Sequence, residues 1–250
     1  MNNTQRILLA IYLLFTLLVT TLDHLFPGAD VVQYVKFATM ASLFISVLVM
    51  RKHCREQKVL TLAFFFMVIA DSFSVFSTAL HSLSWNLKPL GAGGFLLAYL
   101  CLIYVYQKHF KIAWTELIVA VPIAAVYLTA LLLLRHYVDG TVFTATAVFG
   151  AVLGWMTWNG LCTIFRNYYS MKVSCLIAIS ASLMLVSDLA VAVSFFDPQY
   201  SGTFIPWLKN IVWGAYIPAW TLLAAVAAEE NPLMRSGADS KNPLRNPPTL

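Results

Sequence analysis

Residues 60–80 read LTLAFFFMVIADSFSVFSTAL and residues 173–196 read VSCLIAISASLMLVSDLAVAVSFF, and these two runs decide the fold. At about 1.5 Å per residue, each is long enough to cross a hydrocarbon core of about 30 Å as a helix. Each also carries one aspartate near its middle, Asp71 and Asp188. A carboxylate at that depth is unfavourable by at least about 2.5–3.5 kcal/mol, so two of them ask for a functional reason. The runs echo each other around the acids, Ile69-Ala70-Asp71-Ser72 against Val186-Ser187-Asp188-Leu189. They read as a facing pair in a polar pocket inside a membrane.

The rest of the chain has the same character. Of its 250 residues 60% are hydrophobic and only 11% charged, and the mean hydropathy is +0.77, which excludes a soluble globule. The fold class is therefore all-α, a polytopic membrane protein. Eight transmembrane helices are expected over 7–26, 31–50, 59–80, 90–106, 112–134, 142–165, 173–196 and 209–228, forming one domain through residue 228. Pro27-Gly28, the basic run Arg51–Lys58, Lys88-Pro89, Gln107–Lys111, Asp139-Gly140, Arg166–Lys172 and Asp197–Pro206 punctuate them. The first run has no small-residue cleavage site after it and reads as a helix rather than a signal peptide. The tail, 229–250, is polar and rich in Pro and Asn and is expected to be disordered.

Charge asymmetry tests the count. With eight spans, Arg6, Arg51, Lys52, Arg55, Lys58, Lys108, Lys111, Arg166, Lys172, Arg235, Lys241 and Arg245 share one side, and Lys36, Lys88, Arg135 and Lys209 the other, 12 against 4. Adding or dropping a span would scramble that alternation. Both chain ends are therefore expected in the cytoplasm. The formal charge of +5 serves topology, because no basic cluster with interleaved aromatics suggests nucleic acid as a partner.

This orientation fixes depth. Asp71 and Asp188 lie about 18 and 22 Å along their helices from the cytoplasmic side, and Lys36 about 8 Å below the opposite face. The three share one layer in the outer half of the bilayer. Ser74 and Thr78 follow Asp71 at i+3 and i+7, and Ser180, Ser187 and Ser194 repeat every seven residues beside Asp188. Such stripes let helices approach and supply hydrogen bonds. The plainer reading has each aspartate capping a serine network or pairing with Lys36. Asp23 and His24, at the outer end of the first helix, are expected to be solvated. Glu116, near a cytoplasmic end, is expected to snorkel to water, and Asn159 to pack at the interface beside Trp155 and Trp158.

Several chemistries are disfavoured. His24, His53, His81, His109 and His136 all fall in loops or at helix ends, so no imidazole cluster is available for an intramembrane metal hydrolase, and no metal or other cofactor is expected. Cys54, Cys101, Cys162 and Cys175 lack paired spacing and read as packing residues. There is no mid-membrane lysine in the last helices for a retinal Schiff base, and no nucleophile elbow, P-loop or dinucleotide fingerprint.

Short motifs across residues 30–228 carry a likeness to a known family. Lys36-Phe37 stands where that family has Lys-Pro, Ala70-Asp71 where it has Gly-Asp, Phe95-Leu-Leu-Ala-Tyr99 where it has Phe-x-x-x-His. Ser187-Asp188 matches its Ser-Asp fully, and Tyr216-Ile-Pro-Ala-Trp220 stands for its Tyr-x-x-x-(Gln or His). On these residues the chain resembles the YhhN-like lysoplasmalogenases, eight-helix membrane proteins. The two acids and the lysine carry over, whereas Tyr99 and Trp220 replace polar pocket residues. The resemblance implies two parallel four-helix halves with the third and seventh helices equivalent.

It also implies an activity: metal-independent cleavage of the vinyl ether bond of lysoplasmalogens, with a lysophospholipid as substrate and membrane lipid as surroundings. Asp71 and Asp188 would be the catalytic acid and base, assigned as a coupled pair. Lys36, Tyr99, Ser187, Tyr216 and Trp220 would bind substrate, Lys36 by holding one acid ionised or by meeting the phosphate, the aromatics by lining the chain. The site would be framed by the second, third, fourth, seventh and eighth helices. The same buried acids also suit a proton- or cation-coupled transporter, or a membrane protein that binds a lipid without turning it over.

Overall fold

Where the chain enters the first apolar run, Asn2 caps it. Its side chain accepts from the Gln5 N–H while the Gln5 side chain accepts from the Asn2 N–H, a reciprocal capping box. The computed structural model describes residues 2–79, 88–138, 140–196 and 206–233, the side chains of 75–79, 88 and 206 excepted. Among the described residues there are eight helices and no strand, only one isolated bridge pair, Tyr169 with Leu233. The helices are α1 (Asn3–Leu25), α2 (Asp30–Val49), α3 (Arg55–Ala79), α4 (Lys88–Tyr106), α5 (Trp114–Leu134), α6 (Gly140–Cys162), α7 (Met171–Phe196) and α8 (Pro206–Ala227). All eight are long and apolar enough to span a membrane. The chain is an integral, multi-pass membrane protein.

The expected spans and the helices agree in number and order. The sixth begins and ends earlier than expected, over Gly140–Cys162 in place of 142–165. It stops at Cys162, because Thr163 turns its hydroxyl back onto the Gly160 carbonyl and Arg166 is drawn inward to an acid on α5. Asp139 and the loop 197–205 lie outside the described residues.

Side-by-side packing runs α1, α2, α3, α4, α6, α7, α8 and back to α1, with α5 laid outside against α6. Burial follows from this ring. Of the apolar window of α8, which also leans onto α2 and α3, 67% is buried, against 11% for α5. Leu117, Ile118, Val121, Leu128 and Leu132 of α5 are exposed, as a lipid-facing helix requires.

Glycines make close helix approaches possible at two seams. A Cβ on Gly94 of α4 would stand 2.9 Å from the Ala70 Cβ of α3, and one on Gly160 of α6 would stand 2.6 Å from the Ala181 Cβ of α7. Without hydrophobic driving force inside lipid, such small-residue contacts let helices lock by van der Waals packing. The most extensive pairs, α3 with α4 and α7 with α8, are equivalent if the chain is two four-helix halves, and so are α2–α3 and α6–α7. The repeat is partial. α1 packs on α8, while α4 packs on α6 rather than on α5.

Candidate functional site

Ala70 is pressed against Gly94, which sets the next residue, Asp71, beside the α3–α4 seam and only 8% exposed. Tyr216 of α8 donates its phenolic O–H to that carboxylate, 3.1 Å from Oδ1 and 3.0 Å from Oδ2. On the other side of the cluster Tyr99 of α4, fully buried, donates to Oδ2 of Asp188 on α7 at 2.5 Å. The pairing is crossed: each aspartate comes from the third helix of one half and its phenol from the fourth helix of the other. Phe95 separates the two phenols, its ring centre 6.3 Å from that of Tyr99 and 6.1 Å from that of Tyr216. Asp71, Asp188, Tyr99 and Tyr216 therefore form one cluster.

The other expected site residues take different places. Trp220 is fully buried one turn beyond Tyr216, edge-on to Phe64 at 5.0 Å and to Tyr216 at 6.4 Å. Its indole N–H has no hydrogen-bond partner among the described residues. Between these two aromatics, Pro218 has no N–H to give the Gly214 carbonyl one turn back. Ser187 donates to the Val212 carbonyl at 3.2 Å, and Ser180 to the Ala219 carbonyl at 2.8 Å, so the α7 stripe ties α7 to α8. Ser194 bonds within its own helix to Val191. The Thr78 side chain lies outside the described residues.

Lys36 is buried, but its partner is neither deep aspartate. Its ammonium lies 2.7 Å from each carboxylate oxygen of Asp23. The expectation that Asp23 is solvated is overturned: it is 3% exposed. A buried ammonium needs a counter-charge, and packing α1 against α2 supplies the acid at the end of α1. The same ammonium sits 4.6 Å over the Trp213 ring, and Trp213 meets Tyr216 edge-on at 5.6 Å. Lys36 thus reaches the cluster through one aromatic ring, that of Trp213. Two isolated opposite charges within apolar runs on consecutive helices were the signal available for this pair.

At the end of the bundle that carries both described chain ends, two further expectations fail. Glu116 does not snorkel. It is 2% exposed and held on both oxygens by Arg166, Nε at 2.9 Å and Nη2 at 2.8 Å. Asn159 is part of the same network rather than interfacial packing alone, accepting from Arg166 Nη1 at 3.0 Å, and that nitrogen also donates to the Tyr106 carbonyl at 2.8 Å. The tail is not free at its start either. Glu229 pairs with Lys172 and accepts from Gln5, and the Ser170 N–H donates to the Pro232 carbonyl. Residues beyond 233 lie outside the described residues. These contacts fasten α1, α4–α7 and the end of α8. Among the described residues no three His, Cys, Asp or Glu side chains group as a metal site would need.

A sequence model of the YhhN family matches residues 32–227, which takes in every residue of the aspartate–tyrosine cluster. No curated protein and no solved structure matches the chain.

Proposed function

This chain belongs to the YhhN family, and from that membership we propose that it is a membrane-embedded hydrolase that opens the vinyl ether bond of lysoplasmalogen-type lipids, using Asp71 and Asp188 as acid and base. The observation that carries the reading is the crossed cluster. Two aspartates deep in apolar helices each accept a phenolic O–H from the opposite half. Structural glue would be served as well by one pair; two acids and two phenols around one centre suit proton transfer.

The chemistry closes on two carboxyls and water. The protonated member of the pair gives its proton to the vinyl carbon farther from the ether oxygen, and the C=C electrons form the new C–H bond. The cation left behind is an oxocarbenium ion, stabilised by the ionised partner. That partner then takes a proton from water as the water oxygen bonds the cationic carbon. The resulting hemiacetal collapses: the partner gives its newly gained proton to the glycerol oxygen as that C–O bond breaks, the hemiacetal hydroxyl returns its proton to the first carboxyl as the C=O forms, and a fatty aldehyde and a glycerophospho-head group leave with both carboxyls in their starting states. The net consumption is one water.

Tyr99 and Tyr216 hold the carboxyls in orientation for these transfers. Phe95, Phe149 and Trp220, packed on the phenols, and Phe64, packed on Trp220, give the alkenyl chain an apolar lining. The Trp220 N–H, without a partner among the described residues, is a donor for a substrate oxygen or water. Ser187 supports the site by holding α7 to α8 beside Asp188, and Lys36, balanced by Asp23, holds its rim through Trp213. Both chain ends are assigned to the cytoplasm from the asymmetry of Lys and Arg.

The test is aldehyde release from a lysoplasmalogen by purified protein. Asp71→Asn and Asp188→Asn should each abolish it while the solubilised protein keeps its helicity. Full activity in both variants removes the acid–base reading. Uptake that varies with pH in the absence of turnover is the result a carrier would give.

A further inference from the structure

Away from the aspartate cluster, a groove of about 340 Å³ opens on the outer surface between α3 and α4. Arg55, Val59 and Phe66 line it from α3, and Leu97, Leu100 and Tyr104 from α4. It runs from Arg55, at the first turn of α3, to Phe66, eleven residues on, or about 16 Å at the helical rise. That is about half of a 30 Å hydrocarbon core, the reach of one leaflet. The groove ends one turn short of the Ala70–Gly94 contact, where the two helices close on each other.

Its walls and its mouth differ in chemistry. Leu97 and Leu100 are each 45% exposed and Tyr104 40%, an open apolar trough. At the mouth, the Arg55 guanidinium stands 5.8 Å and the Lys108 ammonium 4.3 Å from the centre of the Tyr104 ring. Glu56, which also accepts from the Tyr168 hydroxyl at 2.9 Å, faces Lys108 at 3.6 Å and offsets one of the two cations, so the mouth keeps a net positive charge. Two cations on an aromatic rim, at the head of a one-leaflet trough, match a phosphate with a chain beneath it.

We propose that this groove binds an anionic phospholipid from the leaflet on the side of the chain ends, its phosphate between Arg55 and Lys108 and one acyl chain lying along α3 and α4 to Phe66. The site is separate from the aspartate cluster and independent of the reaction assigned to it. Its position along the seam that sets Asp71 makes the bound lipid a brace for the α3–α4 pair.

The test is lipid retention by the purified full chain in neutral detergent, read by native mass spectrometry after titration with phosphatidylglycerol or phosphatidylcholine. Each cation near a membrane surface contributes about fivefold, so a preference of about 5- to 25-fold for phosphatidylglycerol is expected after Glu56 takes its share. The Arg55→Gln/Lys108→Gln protein should lose the preference. Leu100→Trp, which fills the trough from its lipid-exposed side, should lower retention of both lipids without moving the melting temperature of the lipid-free protein. Equal retention of the two lipids by the wild type overturns the proposal. So does an unchanged preference in the double variant, or unchanged retention in Leu100→Trp.

Discussion

Tyr99→Phe removes one oxygen from the centre of the protein and leaves the ring, its packing on Phe95 and Phe149, and the helix unchanged. The lost contact is the O–H donated to Asp188 Oδ2 at 2.5 Å, short as charge-assisted O–H···O bonds are. A hydrogen bond to a charged group contributes about 1.5–3 kcal/mol. If it is made fully only when Asp188 is in its reacting orientation, kcat/KM falls by about 10- to 150-fold, at tenfold per about 1.4 kcal/mol. Tyr216→Phe is the internal comparison. Its hydroxyl is split between two oxygens of Asp71 at 3.1 and 3.0 Å, so the loss should sit at or below the lower end of that range. The assay is aldehyde release at several lysoplasmalogen concentrations, with thermal unfolding of each variant alongside. A positioning hydroxyl lowers kcat and leaves KM nearly unchanged. Tyr99→Phe with wild-type kcat/KM, or Tyr216→Phe much the more damaged, would refute the assignment.

Three further outcomes are expected. Removing one partner of the buried Asp23–Lys36 pair, as Asp23→Asn or Lys36→Met, should destabilise the detergent-solubilised protein by about 3–5 kcal/mol, and the double variant Asp23→Asn/Lys36→Met should recover part of the loss in thermal unfolding. Gly160→Ala places a methyl 2.6 Å from the Ala181 Cβ, and the forced separation of α6 from α7 should lower stability by about 1–3 kcal/mol in the same measurement. For Glu229, burial works against ionisation, but hydrogen bonds from Lys172 and Gln5 and the charge of Lys172 outweigh it and hold the carboxyl below its ordinary 4.5. A depressed carboxyl adds stability that is fully present above the unfolded value and is lost as pH falls through the folded one. Unfolding followed from pH 7 downward should show that loss in the wild type and a smaller one in Glu229→Gln.

What the sequence made legible was what local chemistry decides. Run lengths and charged breaks determine helices directly, because lipid requires every backbone group to be paired within the segment. The depth of Asp71 and Asp188 follows by arithmetic from those runs. The crossing of the pairs does not. Tyr216 and Tyr99 stand out as motif residues, but which acid each meets depends on how α8 and α4 pass α3 and α7, a tertiary fact with no local trace. Asp23 and Glu116 were misread for one physical reason. A charge near a helix end satisfies itself equally well by reaching water or by meeting an opposite charge from a neighbouring helix. Lys36 and Arg166 tip that balance only once α2 and the loop after α6 are in place. Arg166 itself looked like loop punctuation, although it organises Glu116, Asn159 and the end of α4.

Protonation of a vinyl carbon by a carboxyl of the Asp71–Asp188 pair would leave an isotopic mark. Carboxyl protons exchange with solvent, so protein equilibrated in deuterium oxide should transfer deuterium to the lysoplasmalogen. Mass spectrometry of the product should find fatty aldehyde carrying one deuterium on the carbon next to the carbonyl, formed by the wild type and by neither Asp71→Asn nor Asp188→Asn. Unlabelled aldehyde, labelled aldehyde from either variant, or no aldehyde from the wild type would contradict it.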